Sequence, residues 1–203
     1  MFDPNYKPAI YSASKIWQAL NWVELRDKYG YNIIARWIDI PCGTPDNPTG
    51  AKLLTPAEKV QLWVECQYDT CSADMSIVYA EKDNEMRGAL VEMGMALGAS
   101  FAGGIPKPIY VIGTCPSFEV AGHSDVAFMH HPLVKRIHTE KYADGTYDYK
   151  SGYRDAVKHY LENYHTPENV FRKTGFVHES ITGGFGGLHQ SPTPNKNQTV
   201  RSY

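Results

Sequence analysis

The sequence lacks any run of basic residues. Its 203 residues carry 20 Lys and Arg against 22 Asp and Glu, so the formal net charge is −2 at pH 7. Proteins that bind nucleic-acid polymers usually present a basic patch or stripe. We therefore expect no nucleic-acid polymer as a partner. A small anionic substrate remains open, because a pocket can be locally basic on a nearly neutral protein.

Long apolar runs and clustered cysteines are also missing. No stretch is long enough to cross a bilayer, and the N-terminal residues do not resemble a signal peptide, so we expect a cytoplasmic protein without a membrane partner. The cysteines at positions 42, 66, 71 and 115 form no CxxC pair. Structural zinc requires tighter clustering. We expect reduced thiols, no metal site and no cofactor.

What the sequence does contain is an alternation of strand and helix patterns. β-rich apolar segments occur at 8–13, 31–38, 75–80 and 108–112, and helical patterns occur at 16–30, 55–68, 87–99 and 151–164. Such alternation is typical of a parallel sheet with right-handed crossovers. The predicted fold class is α/β, a flavodoxin-like or Rossmann-like three-layer sandwich with a parallel sheet of about five strands.

The domain boundaries follow from composition. Residues 1–165 are predicted to form one domain, and residues 166–203 a C-terminal extension that is partly flexible, because 183–203 is rich in Gly, Pro, Asn and Thr. Residues 39–55 hold several prolines and glycines and form an unusually long loop. This loop is either a lid over a binding site or a mobile surface insertion.

Ligands of open parallel sheets bind beyond the carboxyl ends of the strands. In this chain that rule selects the loops 12–15, 39–55, 81–87 and 113–117. Tyr11 could stack on a nucleobase, and phosphate donors are present in Ser12, Ser14, Lys15 and Arg87.

The clearest helix, 87–99, carries the candidate catalytic carboxylate. At about 100° per residue, Glu92 lies at the edge of the apolar stripe and leans back over Gly88, which leaves space beside it. Glycine inside a helix costs about 1 kcal/mol relative to alanine, which suggests that the gap is used. The alternative is that Glu92 is an ordinary glutamate at a helix edge, paired with a cation such as Arg87. The stripe consists of Met86, Ala89, Leu90, Met93, Ala96 and Leu97.

A family resemblance rests on the segment from Asp69 to Ile112. It contains DTCSAD at 69–74, the strand at 75–80, RGALVEMGMALG at 87–98 and KPIYVI at 107–112. In this order, and with Tyr11-Ser12-Ala13 upstream, the chain resembles the nucleoside 2-deoxyribosyltransferase superfamily, which includes related 2-deoxynucleoside 5′-phosphate N-hydrolases. The similarity spans most of residues 8–113.

The resemblance implies a flavodoxin-like fold in which Glu92 attacks the anomeric carbon and forms a covalent glycosyl-enzyme. Asp69 matches a family aspartate that binds or protonates the leaving base. Asp83 and Asn84 stand in the loop where many members have Asp-Gly and are expected to touch the sugar or base. Asp74 can equally cap a turn at the strand entry. The resemblance also implies a homo-oligomer whose neighbouring subunits complete each site.

Several functions stay open at this point. The leading expectation is a transferase that moves deoxyribose between bases of a small-molecule nucleoside or nucleotide. A nucleoside 5′-monophosphate N-glycosidase would use the same nucleophile with water as acceptor. The sequence is also compatible with an NAD-cleaving enzyme and with a non-catalytic nucleotide-binding module.

Overall fold

The structure is a computed structural model that describes residues 5–40, 54–119, 122–123 and 126–173. Its strands are β1 (Ile10–Ala13), β2 (Met75–Tyr79), β3 (Ile109–Ile112), β4 (Gly122–His123), β5 (Val126–Ala127) and β6 (Val134–Ile137). Four of them form one parallel sheet in the order β1-β2-β3-β6, and β4 and β5 form a small antiparallel pair. The predicted α/β class with a parallel sheet is confirmed.

In the described part of the chain, α-helices lie between the strands and after the last of them. They are α1 (Ala19–Asp27), α2 (Pro56–Ser72), α3 (Arg87–Gly103), α4 (Pro116–Glu119) and α5 (Tyr149–Asn163). Short 3₁₀ helices span Ile16–Gln18, Arg36–Asp39 and Phe128–His130, and residues 167–173 are also helical. Most of the predicted long loop, at 41–53, and the predicted flexible tail, within 174–203, lie outside the described residues.

The helices cover both faces of the sheet. On one face, Trp22 of α1 stacks on Tyr153 of α5 with ring centroids 5.2 Å apart. On the other face, α2 packs against α3. All residues of β1, β2 and β3 are buried, as is usual for parallel strands covered on both sides. The arrangement is consistent with a flavodoxin-like fold.

Alternation along β1 decides which side chains can meet. Ser12 points to the α1 and α5 face, where its hydroxyl shares a short hydrogen bond with the Tyr153 hydroxyl. Tyr11 points to the opposite face, towards Cys66 of α2 and Glu92 of α3. Successive side chains of a strand lie on opposite faces, so Tyr11 and Ser12 cannot serve the same pocket.

The prediction of about five strands is wrong, because the parallel sheet has four strands among the described residues. Residues 31–38 were expected to form a strand, but only one bridge, Ile10 to Ile33, joins them to β1. Beyond this bridge the chain turns into the 3₁₀ helix Arg36–Asp39. The backbone N–H of Arg36 donates to the Asp69 carboxylate instead of to a neighbouring strand. The strand β6, with only Val134 and Ile137 buried, was not predicted.

The start of α2 agrees with its sequence signal. Thr55 accepts a hydrogen bond from the Glu58 N–H, and the Glu58 carboxylate accepts one from the Thr55 N–H at 2.7 Å, which makes a capping box. The helix runs to Ser72, four residues beyond the predicted end near Tyr68. Asp69 therefore lies on α2 and not in a loop. None of the helices among the described residues is both long and apolar enough to span a membrane.

Candidate active site

A cleft of about 280 Å³ opens at the carboxyl end of β1. Its walls come from the loop after β1, the 3₁₀ helix Arg36–Asp39, and the helices α2 and α3. The lining residues are Ala13, Ser14, Ile16, Trp37, Lys59, Leu62, Trp63, Cys66 and Glu92. The position agrees with the rule for ligands of parallel sheets.

Glu92 reaches this cleft from the edge of the buried stripe of α3, as its helical position predicts. Burial raises the pKa of its carboxyl above the ordinary value, because the charged form loses hydration. The nearby Tyr11 hydroxyl acts in the opposite direction by favouring the carboxylate. A carboxylate with a raised pKa in a cleft is a candidate for catalysis.

The Tyr11 side chain lies close to Glu92. Its side chain is fully buried, and burial strongly raises the pKa of its phenol. Among the described residues its hydroxyl has no hydrogen-bond partner of good geometry, although it lies near enough to Glu92 and Cys66 to influence both. A buried hydroxyl in this position is costly unless a neighbour or a ligand satisfies it.

Cys66 contributes a thiol to the cleft wall. Burial raises its pKa to about 11, so the thiol stays protonated at neutral pH and is a poor nucleophile. The protonated thiol itself adds no charge to the cleft wall. Among the residues that line the cleft, Glu92 is the only one with a carboxyl group.

Two indoles provide aromatic surface. Trp37 is 8% exposed and its Nε1 donates to the Ser12 carbonyl oxygen at 2.7 Å, whereas Trp63 on α2 is 41% exposed. Leu62 and Ile16 add aliphatic surface. Such a lining accepts a planar, mostly apolar group.

Asp69, the predicted acid for the leaving base, is buried and bound to Arg36. Its Oδ2 accepts from the Arg36 N–H at 2.9 Å, and its Oδ1 accepts from Arg36 Nε at 3.0 Å. Arg36 Nη2 lies 2.8 Å from Oδ1. Asp69 is not among the residues that line the cleft. Asp74 binds the Tyr6 hydroxyl and the Ala9 N–H, which places it at the amino end of the sheet.

The predicted phosphate donors are separated by the fold. Ser14 lines the cleft, where its Oγ accepts from Trp22 Nε1 at 2.8 Å and donates to the Lys15 carbonyl oxygen. Ser12 faces α5, on the other side of the sheet. Arg87 is exposed and pairs with Glu85 at 2.8 Å, outside the cleft lining.

Asp83 holds two loops together at the carboxyl end of β2. Its Oδ1 accepts from the Tyr147 hydroxyl at 2.7 Å and from the Thr114 N–H at 3.2 Å, and its Oδ2 accepts from Lys141 Nζ at 2.6 Å. Lys141 accordingly lowers the pKa of the Asp83 carboxyl. The backbone φ of Asp83, 56°, is rare for a residue with a side chain. Asn84 follows it and is half-buried. Neither residue lines the cleft.

Gly88 was expected to leave space beside the Glu92 carboxylate, and in the structure it lies exposed on α3. A Cβ at this position would meet no atom within 4 Å, and Gly88 lies one turn before Glu92 on α3. The same holds for Gly94 and Gly98, so the space is part of the open outer side of the helix. Gly88 itself is not part of the cleft wall.

The inner face of α2 was missed by the sequence reasoning. Lys59, Leu62, Trp63 and Cys66 all line the cleft, and their spacing of three and four places them on one side of a helix. That spacing, in the helix that follows the loop 39–55, was the sequence signal that could have identified this face of α2 as a cleft wall. Trp37 was not identifiable, because its segment was expected to be a strand.

In the described part of the chain, no cluster of three or more His, Cys, Asp or Glu residues could hold a metal ion. Comparison with protein-family models, with curated proteins and with solved structures finds no match to this chain.

Proposed function

We propose that this protein cleaves or exchanges the N-glycosidic bond of a nucleoside or nucleotide, with Glu92 as the nucleophile. The supporting observation is the position of Glu92, a carboxylate with a raised pKa in a cleft lined by two indoles at the carboxyl end of a parallel sheet. The resemblance around residues 69–112 supports the same chemistry.

The reaction needs two displacements. In the first, a Glu92 oxygen bonds to C1′ of the sugar, the C1′–N bond breaks, and its electron pair leaves with the base nitrogen, which takes up a proton from solvent. In the second, a base nitrogen or a water oxygen bonds to C1′, and the electron pair of the ester bond returns to Glu92. The acceptor, whether a base or water, loses a proton to solvent.

The cleft favours this chemistry electrostatically. The transition state has oxocarbenium character, so a negative charge beside C1′ stabilises it. The attraction is larger in a partly desolvated cleft than in water. Burial also makes the Glu92 carboxylate more basic than a solvated one, and hence a stronger nucleophile once it is ionised.

The aromatic lining provides a place for the base. Trp37 and Trp63 border the same cleft as Glu92, and a purine or pyrimidine can lie against an indole face. Such contacts are tolerant of base identity, because every base has a π-face.

A 5′-nucleotide substrate is the second candidate, and one observation favours it. Lys59 is the only cationic side chain among the described residues that line the cleft. A lysine at the rim is suited to a phosphate. With water as acceptor, the same nucleophile would then make the protein a nucleoside 5′-monophosphate N-glycosidase.

The decisive experiment follows base release by chromatography. The protein is incubated with a panel of deoxynucleosides, deoxynucleotides and NAD, with and without a second free base. Exchange only in the presence of acceptor indicates a transferase, and release without acceptor indicates a hydrolase. Mass spectrometry of the quenched protein, after reaction with a slow 2′-fluorinated substrate, is expected to find the sugar on Glu92.

Two variants separate catalysis from binding. We expect Glu92→Gln to lose base release by at least about a hundredfold, the usual effect of removing a nucleophile, while it still binds substrate. Glu162→Gln makes the same change on the exposed side of α5 and is the matched control. If wild-type protein binds nucleotides but releases no base from any substrate, it is a nucleotide-binding module and the proposed enzyme activity is wrong.

A further inference from the structure

Asp69 is a buried carboxylate whose oxygens contact Arg36. Its side chain is 6% exposed, and it does not contribute to the cleft wall. A proton donor to a leaving base must come within hydrogen-bond reach of that base. The contacts of Asp69 instead lead to one residue, Arg36.

Three groups of Arg36 engage this carboxylate. The backbone N–H, Nε and Nη2 all lie within 3.1 Å of Asp69 oxygens. Arg36 Nη2 also donates to the Glu65 carbonyl oxygen at 3.3 Å. Both carboxylate oxygens of Asp69 are thus occupied by donors of a single residue, two from the guanidinium and one from the backbone.

The next residue along the chain is Trp37, which forms a wall of the cleft. Its backbone is held on one side through the Arg36–Asp69 contacts, and its indole is held on the other side by the hydrogen bond from Nε1 to the Ser12 carbonyl oxygen. These two anchors leave the indole plane little freedom. The 3₁₀ helix Arg36–Asp39 replaces the strand that the sequence predicts, and Asp69 stabilises that replacement.

We propose that Asp69 is a positioning residue, which acts through Arg36 to hold Trp37 as the base-binding wall of the cleft. This inference rests on the proposed function, and it replaces the proton-donor role that the resemblance implies for Asp69. It also predicts that Arg36, which does not line the cleft, matters as much to substrate binding as Asp69 does.

Two substrates, of which only one has a leaving base that needs protonation, test whether Asp69 positions Trp37 or donates a proton to the base. In Asp69→Asn and Arg36→Met we expect KM for deoxyinosine to rise about three- to tenfold, roughly the value of one aromatic contact, with kcat within about twofold of wild type. N7-methylated deoxyguanosine carries a cationic base that leaves without protonation, and we expect the same rise in KM for it. Arg36→Lys, which keeps the positive charge that Arg36→Met removes, is expected to recover part of the loss.

A second measurement does not depend on activity. The chain has four tryptophans, so labelling with fluorotryptophan gives four fluorine NMR signals, and Trp37→Phe assigns that of Trp37. We expect Asp69→Asn and Arg36→Met to shift or broaden the Trp37 signal and to leave that of Trp22, on the opposite face of the sheet, unchanged. Asp74→Asn removes another buried charge at the amino end of the sheet and should leave both signals in place.

Two results would overturn the inference. One is an unchanged Trp37 signal in both variants. The other is a loss of kcat in Asp69→Asn that is large for deoxyinosine, absent for the N7-methylated substrate and not reproduced by Arg36→Met, because that pattern identifies a proton donor. If wild-type protein releases no base at all, the proposed function fails, while the fluorine spectra still decide whether Asp69 positions Trp37.

Discussion

A carboxylate in a largely apolar cleft costs more to ionise than one in water, and Glu92 is such a group. Because burial raises its pKa in the folded state, the folded protein binds this proton more tightly than the unfolded chain does. The contribution of Glu92 to stability is therefore fully present below the pKa of an unfolded Glu. It is lost as the pH rises through the folded pKa.

Replacing Glu92 by Gln is accordingly expected to stabilise the protein at neutral pH. The gain in melting temperature over wild type should vanish below about pH 4, where the carboxyl is protonated in both states. Thermal unfolding from pH 4 to 8 checks this, with Glu162→Gln as the control that shows no such trend. A Glu92→Gln protein less stable than wild type at pH 8 would show that ionised Glu92 is stabilised by its surroundings.

The same proton governs the rate. The nucleophile acts only when ionised, so kcat/KM should rise with pH through the raised pKa of Glu92. Tyr11 favours the carboxylate, and in Tyr11→Phe this acid limb should move to higher pH. Tyr164→Phe, at the far end of α5, is the control. An unmoved acid limb in Tyr11→Phe would mean that another group sets it.

At the scale of single residues, the sequence predicts the position of Glu92 but not the positions of Ser12 and Asp83. Helical spacing brings Glu92 to the edge of its stripe, which is where the structure has it. Ser12 was selected with Tyr11 from the same loop, but strand alternation sends them to opposite faces. Asp83 was expected to touch substrate, and instead its oxygens bind Lys141, Tyr147 and Thr114, which no local pattern predicts.

Among the elements, those with local signals were predicted best. Helix α2 begins at its capping box, and the apolar strands β2 and β3 lie within two residues of their predicted bounds. Residues 31–38 have the composition of a strand, but the distant Asp69 takes the backbone N–H of Arg36. Strand β6 has two charged residues between its buried ends, so its pattern is too weak to identify.

Helix α3 offers a test of the gap at Gly88. We expect Gly88→Ala to raise the free energy of unfolding by up to about 1 kcal/mol, because alanine is the better helix former and its Cβ meets no atom within 4 Å. Gly98→Ala is a close control on the same helix, also without a contact. Because Gly88 does not line the cleft, we expect equal KM values in both variants; a rise in KM in Gly88→Ala alone would show that substrate reaches this position.

For the whole molecule, the outer surface of α2 and α3 stands out. Val60, Val64 and Tyr68 recur at intervals of four on α2, and each is more than half exposed. Helix α3 has Arg87 and Glu92 as its only ionisable side chains, and its Val91 is exposed. Contiguous apolar surface of this kind is typical of a protein interface.

We expect a second copy of the chain to cover this surface, in line with the homo-oligomer that the resemblance implies. Trp63 both lines the cleft and flanks the apolar row, so such a partner would sit beside the cleft mouth. Val64→Asp should shift the protein towards monomer in sedimentation velocity, because it places a charge in the middle of the row. Leu20→Asp alters an exposed leucine on α1 and should not. A monomeric wild type at high concentration would contradict the expectation.

The Arg36–Asp69 pair also constrains how this sequence can change over time. Loss of Asp69 leaves a half-exposed guanidinium without its carboxylate, and loss of the Arg36 side chain leaves a buried carboxyl group without its guanidinium donors. Either single step is harmful, whereas a joint replacement by two apolar residues of similar volume can be nearly neutral for stability. Among descendants and ancestors of this chain, positions 36 and 69 should therefore change together or not at all, and Trp37 should persist only where the pair does.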